Sequence, residues 1–143
     1  MTTIYDAIGG SRTVLALAHH WHERVLADPV VSHAFSHGYR EDHTERLAAY
    51  WAEVFGGPST YSASLGDESH AVRLHSGNGP HDEMDLRAVA CFAAALEDAG
   101  VSREHHELLV NWFRDANTQI NHRYPSADDV PDGLPIPLLR PNP

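Results

Sequence analysis

The feature that most constrains this chain is how its helical runs are cut. Apolar residues recur at helical spacing along most of the sequence. Each run is stopped by glycine or proline, at Gly9-Gly10, Asp28-Pro29, Gly56-Gly57-Pro58, Ser76-Gly77-Asn78-Gly79-Pro80 and Gly100. No alternating strand pattern, internal repeat or low-complexity tract interrupts them, so the fold class is all-α. Thr2 or Thr3 is expected to cap a short helix through Ile4 and Ile8. Ser11 is expected to cap a longer one to about Ala27, with Val14, Leu15, Ala18, Trp21, Val25 and Leu26 as its apolar stripe and His22 on that stripe. Asp28 followed by Pro29 opens a short helix ending at Phe35. The next helix covers residues 41–55 and aligns His43, Leu47, Tyr50, Trp51 and Val54 on one face. Residues 59–67 read as a loop. A short helix then ends at His75, followed by long helices over residues 82–99 and from Ser102 onward.

Within that pattern His75 is the residue with chemistry to explain. The sharp stop after it holds one imidazole at a helix end, where it can point into a cavity between longer helices. A single oriented neutral imidazole is what a haem iron requires of a protein. The competing reading is a surface histidinium stabilised by the carbonyl end of its helix.

The totals narrow the classes. A chain of 143 residues with 42% hydrophobic residues is one domain with a real core. A net charge of −10, from 20 acidic against 10 basic residues, argues against nucleic acid or an anionic membrane as partner. One cysteine, Cys91, permits no intrachain disulfide. The first residues lack a signal region and no run reaches membrane-spanning length, so a soluble cytoplasmic protein is expected. An excess of histidine, here 12, usually marks a solvated surface but also raises the case for metal or haem chemistry. Six of the nine prolines fall in the last nineteen residues. Residues 125–143 are therefore expected to be a proline-rich extension, extended or partly disordered and dispensable for haem binding, appended to a domain of residues 1–124.

The short first helix ending Gly9-Gly10, the Gly56-Gly57-Pro58 stop followed by Ser59-Thr60-Tyr61-Ser62, and the short helix ending Arg73-Leu74-His75 together resemble a truncated haemoglobin, most of all the second group of that family. The resemblance covers about residues 2–122. It implies a two-over-two helical sandwich around haem b. It also implies His75 as the proximal iron ligand and Phe35 as the aromatic residue packing on the haem. His43 and Leu47 then line the distal side, and His22 stands where the family usually has a tyrosine facing the bound ligand. Arg46 and Arg73 are candidates to meet the haem propionates, as a guanidinium suits a carboxylate, with Tyr61 supporting the same edge. Three departures stand out. Histidine replaces the tyrosine at position 22, Leu86-Arg87-Ala88-Val89 lacks the tryptophan the second group usually carries there, and Ser76-Gly77-Asn78-Gly79 replaces a more apolar segment.

Two distal imidazoles can donate hydrogen bonds to a diatomic ligand as partial negative charge develops on it. They can also pass a proton during nitric oxide or peroxide turnover. One of them could instead bind iron directly, or be a core histidine bonded to backbone. An imidazole at position 22 is expected to titrate between about pH 5 and 8. The function read from the chain is thus a haem protein that binds dioxygen or another diatomic ligand, served by an unidentified reductant. Its oligomeric state is open, a homodimer included. The alternative is a haem-free helical-bundle metal protein using clustered histidines and carboxylates. Against it, no Glu-x-x-His occurs on two helices and no His-Glu-x-x-His occurs at all. Trp21, Trp51 and Trp112 read as packing residues. His33 and His37 are four apart, but the corner at Ser36-His37-Gly38 is expected to break a shared helical face.

Overall fold

A computed structural model of the chain describes residues 2–36, 38–77 and 81–139. Six α-helices are present among them: α1 (Ile4–Ile8), α2 (Gly10–Ala27), α3 (His43–Val54), α4 (Glu68–His75), α5 (Asp82–Asp98) and α6 (His106–His122). Among the described residues there is no strand. The expected corner at His37, the stop beyond Gly77 and the last four residues of the tail lie outside the described residues.

Local chemistry accounts for most boundaries. The Thr3 hydroxyl accepts the Asp6 N–H at 3.1 Å and starts α1. Gly9, at φ +116°, ends it. A Cβ there would stand 2.3 Å from Thr13 Oγ1, so glycine is required. Because Gly9 is also the N-cap of α2, that helix begins at Gly10 with no side-chain cap, and the capping expected of Ser11 does not occur. Asp28 ends α2 and accepts the N–H groups of Val30 and Val31 at 2.8 and 3.0 Å, launching a 3₁₀ turn, Val31–Phe35. Residues expected as plain loop contain a π-helical turn, Tyr61–Leu65. Asp67 caps α4 by accepting the His70 N–H at 2.7 Å. A 3₁₀ turn, Arg103–His105, rather than a Ser102 cap, introduces α6.

The core forms where α2 packs on α3 and α5, and α5 on α6, which is the two-over-two arrangement. Phe55, Phe92, Leu17, Leu96 and Leu109 are fully buried in it. The α2 stripe is rotated from the expected one. Val14, Leu17, Ala18, His22 and Val25 face inward, whereas Leu15 and Leu26 are exposed. Residues 15 and 26 lie on one edge of the helix, to the side of the i, i+3, i+4 row that meets α3 and α5. The three tryptophans serve packing, as expected. Trp51 meets Trp21 and Phe92 edge-on at 5.8 and 5.5 Å, Phe92 stacks on Phe113 at 4.4 Å, and Trp21 Nε1–H donates to Ala88 O at 3.2 Å.

The segment after α6 is not peripheral. After a 3₁₀ turn, Ala127–Asp129, it is extended, as its prolines require, but packed. Val130 is buried, Ile136 and Leu139 pack against the core, and Leu139 N–H donates to Val54 O at 2.8 Å. Proline removes the helical option without removing the apolar side chains between the prolines, and those find seats on α3 and α4.

Candidate functional site

Four rings from four pieces of chain converge at one end of the sandwich. His22 comes from the inner face of α2, Phe35 from the end of the 3₁₀ turn, Tyr39 from the following loop and His43 from the first residue of α3. The two imidazoles lie 5.0 Å apart between centroids. Phe35 stands 5.2 Å from each of them, edge-on, and Tyr39 stands 4.7 Å from His22 and 5.8 Å from His43. The Asp28 bonds that start the 3₁₀ turn thus place Phe35, and the start of α3 places His43. Tyr39 was not a sequence-based candidate. The available signal was its position four residues before His43, but nothing local shows that an exposed loop tyrosine turns back onto a helix.

His22 is buried and His43 half-buried, and their enclosed nitrogens lack the hydrogen bonds that burial normally requires. Neither His22 nitrogen, nor His43 Nδ1, has a hydrogen-bond partner. Burial lowers the His22 pKa, with the charge of nearby His19 adding to it. His43 is held down to about 4, by burial first and then by the charges of His22 and His75. Both rings are therefore neutral at pH 7, and the titration expected at position 22 between pH 5 and 8 is displaced downward.

His75 ends α4, as the glycine stop implied. Its Nδ1 lies 2.7 Å from Ala71 O. A carbonyl can only accept, so Nδ1 carries the hydrogen and Nε2 carries the lone pair. The ring is accessible to solvent but surrounded by enough chain that desolvation lowers its pKa, against the raising effect of the Ala71 bond. One imidazole with a fixed tautomer, together with three buried imidazole nitrogens on His22 and His43 that lack partners, has the donor set a haem site needs. In such a site His75 would offer a ligating nitrogen, and His22 and His43 would offer polar atoms to a bound group.

The remaining candidates are spread more widely. Leu47 sits one turn beyond His43, partly buried against the core. Arg46 Nη2–H donates to Leu65 O at 2.5 Å and ties the π turn to α3. Arg73 donates to Val130 O at 3.0 Å and pairs with Asp132. Tyr61 is buried edge-on to Tyr50 at 5.1 Å, away from the four-ring cluster. Tyr50 in turn donates to the buried Glu68 carboxylate at 2.7 Å, whose pKa burial raises. Near these residues lies a concavity of about 460 Å³ between the Gly56-Gly57 turn, the start of α4 and the tail. Its carboxylates are committed elsewhere: Glu53 to Ser62, Glu68 to Tyr50 and Asp67 to the α4 cap. Among the described residues no three histidine, cysteine or acidic side chains converge to hold a metal ion, and no helix is long and apolar enough to cross a membrane.

Comparison with known proteins agrees with this arrangement. The sequence pattern of the bacterial-like globin family matches residues 3–122. The chain is 30% identical over 71 residues to the group 1 truncated hemoglobin GlbN of Nostoc commune, a match that covers 50% of this chain and 60% of that protein's length. The hemoglobin of the thermophilic phototroph Chloroflexus aurantiacus superposes with a TM-score of 0.73 at 29% identity, covering 84% of this chain and 98% of its own. The group II truncated hemoglobin of Bacillus anthracis shares the fold, with a TM-score of 0.74 at 18% identity over 84% of this chain and 91% of its own. Sequence similarity thus runs to group 1 proteins, and likeness of fold extends to a group II protein. With a two-over-two helical fold and a family pattern covering most of its length, the chain belongs to the bacterial-like, or truncated, globins, which are haem-binding proteins.

Proposed function

We propose that this chain holds haem b between His75 on α4 and the His22–His43 pair, and binds dioxygen or another diatomic ligand reversibly as a cytoplasmic protein. The observation that carries the reading is the His22–His43 pair, in which both His22 nitrogens and His43 Nδ1 are buried without partners, together with a tautomer-fixed His75. Bound haem supplies an iron at which a diatomic ligand can sit and change redox state. The chain supplies the rest. His75 Nε2 would hold the metal as a neutral ligand, its basicity raised by the Ala71 bond. His22 and His43, neutral at pH 7, each offer one N–H donor and one lone pair on the other side. Phe35 and Leu47 present apolar surface that excludes water, and Tyr39 covers His22 from the solvent side.

The same imidazole pair can hold and return a proton, which nitric oxide or peroxide turnover would ask of the chain; a reductant returning the metal to its ferrous state would then be needed. Arg46 and Arg73 remain propionate candidates, because a guanidinium has five N–H donors and their observed bonds use only some of them. Tyr61 contributes from behind that edge. A homodimer is compatible with this site. The haem-free metal-protein reading loses ground because its ligand cluster is not found among the described residues.

The test is haem reconstitution followed by visible absorption. The parent chain should take up one haem and show a Soret band that shifts with carbon monoxide. His75→Gly should lose haem, or keep it only with added imidazole. An unchanged band and unchanged ligand affinity in His75→Gly would remove His75 from the iron.

A further inference from the structure

The helix that carries His75 is held from behind. α4 has eight residues, too few to persist in water without tertiary support. At about 100° per residue, Ala71, Val72 and His75 share one side of α4, while Ser69 and Arg73 fall near the opposite side. The tail grips that opposite side at successive turns. Ser69, only 1% exposed, donates through Oγ to Pro131 O at 2.7 Å and accepts the Leu134 N–H at 3.0 Å. Arg73 Nη2 donates to Val130 O at 3.0 Å and to Asp132 Oδ1 at 2.5 Å. Just past His75, Gly77 lies directly under the chain: a Cβ there would be 3.6 Å from Ser126 Cα and 3.8 Å from Pro125 O. The far end is tied down separately, where Leu139 N–H bonds Val54 O at the end of α3.

We propose that residues 125–139 are a strap on the proximal side, and that Ser69 and Arg73 are positioning residues which act through it to set where α4 presents His75. The proposal rests on His75 being the iron ligand. A two-turn helix whose end bonds are all local, from Asp67 at its start and from Ser76 to Val72 O and Arg73 O at its finish, can still slide or roll against its neighbours. Bonds one turn apart on its back, both made to one segment anchored on α3, remove both freedoms. A role confined to stability would alter the melting of the whole chain without altering the setting of His75.

The experiment uses the full chain with Ser69→Ala, Arg73→Ala, Arg73→Lys and Asp132→Asn. In the haem-loaded ferrous form, the iron–histidine stretching band in resonance Raman should shift or broaden in Ser69→Ala and Arg73→Ala, and return toward the parent position in Arg73→Lys, which keeps a donor. In the haem-free form, amide exchange over residues 68–75 should speed about tenfold, the factor expected from losing one or two net hydrogen bonds, with the α2 and α5 cores unchanged. If Ser69→Ala does not fold by far-ultraviolet dichroism, the Arg73 and Asp132 changes, at partly exposed positions, carry the test alone. An unmoved band together with unmoved α4 exchange overturns the strap while leaving His75 in place. If His75→Gly retains the parent band, the site reading has failed and the strap fails with it, an outcome recognisable without any strap variant.

Discussion

At the residue scale, the His22–His43 pair carries the most consequential chemistry of the proposed site. Two neutral imidazoles 5.0 Å apart share one small region, and each has a nitrogen without a protein partner. A ligand oxygen that accepts from either N–H gains a bond in a poorly solvated place. Losing it should cost about 1–3 kcal/mol if the oxygen is then unpaired, roughly 5- to 150-fold in dissociation. His22→Leu and His43→Leu are each expected to speed dioxygen release by stopped flow. The double change should fall short of the product of the two, because both imidazoles address one ligand. Parent release rates in both single variants would place the pair outside ligand contact. Tyr39→Ala is expected to raise the His43 pKa from about 4 toward the ordinary imidazole value, by letting water onto the pair. Histidine ring resonances followed across pH would show it, and an unmoved titration would mean that Tyr39 does not shield the site.

At the element scale, short segments with few internal bonds hold the site. Phe35 depends on a 3₁₀ turn started by Asp28, whose carboxylate accepts two backbone N–H groups and also faces Arg87. Asp28→Ala should cost about 1 kcal/mol, the usual loss of a helix cap, and should loosen haem as well as lower the urea midpoint. The tail matters in a comparable way. A chain ending at Tyr124 loses the buried Val130 and the bonds to Ser69, Arg73 and Val54. The loss should be on the order of 3 kcal/mol, counting one buried aliphatic side chain and a few net hydrogen bonds. The composition of the tail alone suggests that it can be removed freely. An unchanged urea midpoint after truncation would support that view over the one drawn from its contacts.

At the scale of the whole molecule, imidazoles desolvated by the chain around them set the response to acid. His22, His43 and His75 all have pKa values lowered by burial in the folded chain. As pH falls below about 6.5, the unfolded chain takes up protons that the folded chain refuses, so stability drops until the folded pKa values are passed. For His43 that limit is about 4. Glu68 acts in the opposite sense. Its raised pKa makes the folded chain keep a proton that the unfolded chain has released, so over the window above the ordinary carboxylate pKa it favours the fold as pH falls. Three histidines against one carboxylate should leave a net loss. The urea midpoint of the haem-free chain is expected to fall between pH 7 and 5, and His43→Leu should flatten that slope. A midpoint independent of pH in this range would mean that these rings become solvated before they titrate.

What the sequence determined by itself is what local chemistry decides. The helices, the stops and the end of α4 at His75 follow from periodicity, caps and glycine, each acting within a few residues. The truncated-globin resemblance could be read from the order of those stops for the same reason. Other features depended on contacts distant in the chain. Leu17 rather than Leu15 became core because of the angle at which α2 meets α3 and α5. Tyr39 joined the imidazoles because the loop before α3 folds back over α2. Arg46 and Arg73 acquired carbonyl and carboxylate partners 19 and 59 residues away. The proline-rich tail became part of the fold because Val130, Ile136 and Leu139 found apolar seats on it. A residue's own neighbours fix its backbone, but only the assembled surface decides which long-range partner it meets.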